Sequence, residues 1–481
     1  MQDTPLIHEI SEYIERKKLS FHTPGHQQGR GMEPRLKKLL GSKFLAGDLT
    51  EVPGLDNLRN PRGCLKKAQS LAANAYDALK TFFLVNGSTV GIEAAFLGLN
   101  KEGGKVLVAN NAHISAVNGL ILSGGQPVLL PTVFEPRWGI ALGPDLQKAK
   151  SIIKNTAGAE LICITLPNYQ GIGLNAAEIR EAVGTSAIPV LCDEAHGAHL
   201  FFQNRLPMSA QKEKLDIVVQ STHKTMGALT QASMLHINRA DLLEPVQEAL
   251  ETLQTTSPSY LLLASLDAVQ AQMRLNGETI IAGTWELAES LREEVRKIGG
   301  YLLLDDELTK PWLQDPGKLV ISAAPLGLTG WELSEILVSK YGIIVELSDY
   351  YYSLFLITLG HSQKAVRRVV SALAEIKQDY HRKPLKPLDL DLDIYNRSGP
   401  LLLTPRQVFQ APKDRIAVQE AGGRIAGKAV TIYPPGIPLL WPGQEIRAEH
   451  LEFLEWVMRN GLPVHGLDEG NRITVIKESL R

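Results

Sequence analysis

The stretch TFFLVNGSTVGIEAAFLGL, residues 81–99, decides the fold. Its first five residues, mostly Phe, Leu and Val, have the length and composition of a buried strand. Asn86 and Gly87 break the run, and the glycine gives the backbone freedom to turn. Ser88 and Thr89 then stand ahead of apolar residues at helical spacing, where helix N-termini favour hydroxyl side chains. The segment reads as the opening of a βα unit. The same rhythm repeats outward from it in KVLVA (105–109), PVLLPTV (127–133), ELICIT (160–165), IPVLCDEA (188–195), LDIVVQS (215–221) and ASMLHI (232–237). Short apolar runs separated by helix-length segments specify a mostly parallel α/β sheet buried on both faces.

In such sheets ligands sit at the carboxyl ends of the strands, so the residues after each run are the candidates. After the first run, Ser88 and Thr89 at a helix N-terminus can cradle a phosphate or act as a plain helix cap. NNAHIS follows the second run and offers His113, a flat ring able to stack on an aromatic ligand. DEAHGAH (193–199) puts Asp193 at the end of an apolar strand and His196 three residues on. A carboxylate there must find a partner or stay near solvent. STHKTMGALTQAS (221–233) puts Lys224 after another apolar strand, with small residues behind it. Partial burial favours the neutral form of an amine, and a neutral amine forms Schiff bases with aldehydes. Phosphate cradle, stacking ring, acid and amine, in that order, are what pyridoxal phosphate (PLP) requires.

The remainder of the chain sets the frame. With 481 residues it exceeds one ordinary hydrophobic core, so two or three domains are expected. Residues 1–20 read as a helix and 1–50 as an N-terminal arm, 51–290 as the large domain, 291–382 as a small α+β domain and 383–481 as a C-terminal α+β domain behind the Pro-rich KPLKPLDLDLD. Hydrophobic residues make up 44% and charged residues 21%, and the net charge of -2 argues against a nucleic-acid partner. The three cysteines, Cys64, Cys163 and Cys192, have neither metal-ligand nor redox spacing. No metal is expected. No apolar run is long enough to cross a bilayer and no signal core is present, which makes the expected location cytoplasmic.

Long segments resemble the Orn/Lys/Arg decarboxylase family of fold-type I PLP enzymes, in its short bacterial form. They include FHTPGH, GDLTEVPGLDNL, TFFLVNGSTVGIEAA, NNAHIS, PNYQG, DEAHGAH, QSTHKTMGALTQASMLH, TTSPSY and YPPGIPLLWPGQEI. The resemblance implies an aminotransferase-like large domain with a seven-stranded sheet. It implies that Lys224 binds the PLP aldehyde, Asp193 pairs with the ring nitrogen, and His113 stacks on the ring. Ser88, Thr89, Ser221 and His223 would surround the phosphate, and His196 would lie beside the ring oxygen or substrate. Thr256 and Ser257 would reach the phosphate of a neighbouring subunit in a homodimer or larger assembly. Glu346 and Asp349 in VELSDY would face a cationic substrate. Lys224, His223, His196 and Asp193 are thus the candidate catalytic residues. The implied activity is decarboxylation of a basic amino acid, arginine slightly preferred over lysine or ornithine, serving polyamine biosynthesis. Two other readings are another reaction on the same scaffold, such as transamination or carbon–sulfur lysis, and a non-catalytic paralogue that binds PLP. The chain departs from the family pattern at Lys428, where relatives carry an acid, and at Asn57 and Arg59 in GLDNLRNP.

Overall fold

The computed structural model describes residues 3–16, 19–397, 399–434 and 436–478. All seven apolar runs form strands of one sheet: β1 (Lys80–Leu84), β2 (Lys105–Ala109), β3 (Gln126–Leu130), β4 (Ala159–Thr165), β5 (Val190–Asp193), β6 (Ile217–Gln220) and β7 (Ser233–Ile237). Their order is β1-β7-β6-β5-β4-β2-β3. β2 pairs in parallel with β3 and β4, and β5 with β6. β7 alone is reversed, running antiparallel to both β1 and β6. The run PVLLPTV ends its sheet strand at Leu130. Thr132–Glu135 instead pairs with Ile140–Pro144 in a separate hairpin.

Two compact units emerge from the contacts. The first comprises residues 1–98, 191–205 and 209–281, and the second 99–190, 206–208 and 282–481. In the first, the N-terminal helix is shorter than its pattern suggested, Pro5–Glu15, with the proline in the first turn where its missing N–H costs nothing. The Asp267 carboxylate accepts the Leu6 and Ile7 N–H groups at 2.9 and 3.1 Å and so caps it. Leu6, Ile10 and Tyr13 join Leu65, Tyr76, Phe83, Met234 and Leu263 in one buried core. In the second unit, Leu302–Leu303, Lys318–Ser322, Ser353–Leu356 and Leu347–Ser348 form a four-stranded antiparallel sheet, in that order. Residues 380–391 form no helix or strand. Beyond them, Val430–Ile432 pairs with Ile437–Leu440 and Val464–His465, and the helix Ala448–Arg459 adds Leu454 and Val457 to a core of its own. This C-terminal part is fastened within the second unit at Asn110, which accepts from Trp441 Nε1 at 2.9 Å and donates to the Tyr395 carbonyl at 2.6 Å.

Close packing sets the helix Gly87–Leu99 on the sheet. Gly87 has φ +72°, the left-handed turn the sequence anticipated. A Cβ on Gly91 would lie 2.8 Å from Leu84 Cδ1 and 3.0 Å from Val219 Cγ1, closer than side chains approach. Gly91→Val is expected to lower unfolding free energy by about 1–3 kcal/mol through overpacking, read by chemical denaturation.

Candidate active site

Three strand ends of the first unit converge. β1 runs out at Leu84, and the chain turns through Gly87, whose N–H bonds the Gln231 carbonyl at 2.9 Å, into the helix Gly87–Leu99. The first turn of a helix leaves N–H groups without intrahelical acceptors and carries the positive end of the helix dipole. Ser88 lies on that turn. Its hydroxyl accepts from Ser221 Oγ at 2.9 Å, so the hydroxyl that follows β6 meets the hydroxyl that follows β1. Thr89, half-buried, is the next helical residue.

β6 passes directly into a single helical turn, Thr222–Thr225, which carries His223 and Lys224. The Ala232 carbonyl can only accept, and it receives both the His223 backbone N–H at 3.2 Å and the ring Nδ1 at 3.0 Å. The ring proton is therefore on Nδ1, and Nε2 keeps a lone pair. Burial lowers the His223 pKa, opposed by the Ala232 bond, with the nearby Lys224 charge lowering it further, so the ring is neutral at pH 7. Lys224 is half-buried, with Nζ 3.0 Å from His196 Nε2. An ammonium only donates, so Nε2 of His196 accepts and its ring proton lies on Nδ1. His196 itself follows β5, whose last residue, Asp193, is buried at 5% exposure and accepts the Ala195 N–H at 3.1 Å. β5 and β6 pair with Asp193 opposite Val219. The acid and the amine thus leave from neighbouring strand ends.

These groups can hold PLP. Paired hydroxyls at a helix N-terminus suit a phosphate dianion, a buried carboxylate suits a protonated ring nitrogen, and a half-buried primary amine suits an aldehyde. Thr222 and Thr225, on either side of the His223–Lys224 pair, have buried hydroxyls with no hydrogen-bond partner among the described residues. Among the described residues no cluster of His, Cys, Asp and Glu is arranged to hold a metal ion.

The family model for the Orn/Lys/Arg decarboxylase major domain matches residues 4–315, and that for the Orn/Lys/Arg decarboxylase C-terminal domain matches residues 400–465. The chain belongs to the Orn/Lys/Arg decarboxylase family. The cofactor of this family is PLP. The chain is 35% identical to the arginine decarboxylase of Bacillus anthracis over 484 residues, covering 99% of this chain and 98% of that protein. It is likewise 35% identical to the arginine decarboxylase of Bacillus subtilis over 483 residues, with the same coverage. The crystal structure of the Francisella novicida lysine decarboxylase superposes with a TM-score of 0.87 at 21% identity, covering 98% of this chain and 81% of that one, and so shares the fold.

The other expected site residues lie on other elements. Thr256 and Ser257 are exposed in the turn ahead of the long helix Tyr260–Ile298, in the first unit. His113, Glu346 and Asp349 belong to the second unit. His113 is exposed and caps the helix Ile114–Ser123, its Nδ1 taking the Ser115 N–H at 3.2 Å. Glu346 is exposed and accepts from the Tyr169 phenol at 2.6 Å. Asp349 is buried at 4% exposure, which pushes its carboxyl up to about 7, and it accepts the Tyr350 N–H at 2.7 Å. An acid in that state carries only part of a charge near neutral pH. In GLDNLRNP, Asp56 accepts the N–H groups of Gly63, Leu65 and Lys66 at 2.7–3.2 Å and caps the helix Cys64–Ala75. Asn57 bonds Glu51. Lys428 is exposed, and its charge helps lower the Lys413 pKa, after burial of that group.

Among the described residues no helix is long and apolar enough to cross a membrane.

Proposed function

We propose that this chain decarboxylates arginine, and lysine or ornithine less readily, with PLP held through Lys224, as a cytoplasmic homodimer or larger homo-oligomer serving polyamine biosynthesis. The observation that carries this reading is the pairing of Lys224 Nζ with His196 Nε2 at 3.0 Å beside the strand end that bears Asp193. The 35% identity to two arginine decarboxylases along 99% of the chain supports the choice of substrate.

When bound, PLP supplies an aldehyde for an amine and a π system that accepts the electron pair left as carbon dioxide departs. The residues of the chain do the rest. Ser88, Thr89 and Ser221 would donate to the phosphate and pin the ring, and His223, whose Nε2 bears a lone pair, would meet it only through a proton carried by a phosphate oxygen or gained by the ring. Asp193, a carboxylate in a buried setting, keeps the ring nitrogen protonated, where the charge interaction is strong because water is excluded. Lys224 presents its amine at a position fixed by the His196 acceptor. Lys224 Nζ would also be placed to return a proton to the substrate Cα, with His196 able to relay it.

The test is to incubate the purified protein, supplied with PLP, separately with arginine, lysine and ornithine, and to measure carbon dioxide and amine. Agmatine formation fastest from arginine is expected. Faster release from lysine or ornithine would correct the substrate. No release from any of the three would replace this reading with a PLP-binding paralogue.

A further inference from the structure

Behind the site, on the far face of the sheet, four fully buried polar side chains form an unbroken chain. Strand alternation puts Glu194 on the face opposite Asp193, and Gln220 on the face opposite Ser221. Gln220 Nε2 donates to Glu194 Oε2 at 2.6 Å. Gln220 Oε1 lies 3.1 Å from His236 Nε2, and His236 Nδ1 lies 2.9 Å from Thr81 Oγ1. All four residues have 0% exposure. At the other end the Ala210 N–H donates to Glu194 Oε1 at 2.7 Å.

The Gln220 amide donates to Glu194, so its oxygen accepts from His236, which places the His236 proton on Nε2 and leaves Nδ1 to accept from the Thr81 hydroxyl. The Tyr76 ring lies 4.5 Å from the His236 ring, and its hydroxyl donates to Met226 Sδ at 3.4 Å, two residues beyond Lys224. Burial depresses His236 to about 3, so it stays neutral, and burial pushes Glu194 up to about 8 against the hydrogen bonds it accepts from Gln220 and Ala210. Ordinary strands would fill these positions with apolar side chains. A polar row that is fully satisfied fixes one arrangement, whereas a broken one leaves buried groups unpaired.

We propose that Glu194, Gln220, His236 and Thr81 are positioning residues that lock the ends of β5, β6, β7 and β1 together, and so set Asp193 against Ser221 and Lys224 for PLP. The chain does not touch the cofactor. It acts because two of its members are sequence neighbours of site residues, Glu194 following Asp193 and Gln220 preceding Ser221, while His236 and Thr81, opposite each other, carry the chain on to β7 and β1.

This inference rests on the PLP reading above, and the test separates the two. Cofactor-free protein is titrated with PLP, and the dissociation constant and visible absorption are recorded for the unmodified chain, Glu194→Ala and Glu194→Gln. If the unmodified chain takes up no PLP, the functional reading fails and this one with it. If it does, Glu194→Ala is expected to bind about tenfold more weakly or worse, with an altered absorption band, since it leaves the Gln220 donor buried and unpaired. Glu194→Gln is expected to restore affinity: Gln220 flips, His236 moves its proton to Nδ1, and Thr81 accepts instead of donating. A purely structural role would lower thermal stability and leave PLP affinity and absorption of the folded protein unchanged; that result in Glu194→Ala overturns the proposal. Should Glu194→Ala fail to fold, Thr81→Val, which cuts only the far end of the chain, decides by the same readings.

Discussion

Lys224→Ala is expected to reduce carbon dioxide release from arginine by on the order of 10³-fold or more, because the methyl group can neither bind the PLP aldehyde nor return a proton. The fold should tolerate the change. Lys224 sits on a single helical turn, alanine suits that conformation, and the side chain is only half-buried. The variant should still bind PLP through the phosphate groups, because Ser88 and Ser221 bond each other and not the lysine. The expected pattern is therefore a folded protein with unchanged circular dichroism, weaker cofactor retention and almost no turnover. Turnover within a few-fold of the unmodified protein would show that another amine does the work.

Asp193→Asn is the second large effect. The amide oxygen can still accept the Ala195 N–H, so the local turn after β5 survives. What disappears is the negative charge that holds a proton on the PLP ring nitrogen. Removing one such electrostatic stabiliser from a water-poor site costs about 10²–10³ in turnover. The loss should fall on kcat, with KM for arginine changed much less, because the acid faces the cofactor and not the substrate. A rise in KM at unchanged kcat would place Asp193 in substrate binding.

The strand pattern was legible because each run is apolar and bounded by turn residues. Period and boundaries fixed β1 to β7, and the chain order of Ser88, Asp193 and Lys224 carried over into three converging strand ends. Three features were not readable. The direction of β7 is set by its antiparallel pairing with β1 and β6, which the apolar run ASMLHI does not reveal. The GLDNLRNP loop is built around Asp56 as a helix cap, and capping by a distant residue leaves no local pattern. The chain from Glu194 to Thr81 was missed because a histidine or glutamine inside an apolar strand looks like an isolated exception. Only the register, with Thr81 opposite His236 and His236 diagonal to Gln220, turns separate exceptions into one network. The available signal was a polar residue inside each neighbouring apolar strand.

One measurement bears most directly on Lys224 as the anchor for PLP. The protein is supplied with PLP, reduced with borohydride, digested and mapped by mass spectrometry. The expected result is loss of the visible absorption band together with a pyridoxyl group on Lys224 and on no other lysine. A pyridoxyl group on a different lysine, or no modified peptide from a protein that carries the band, would contradict it.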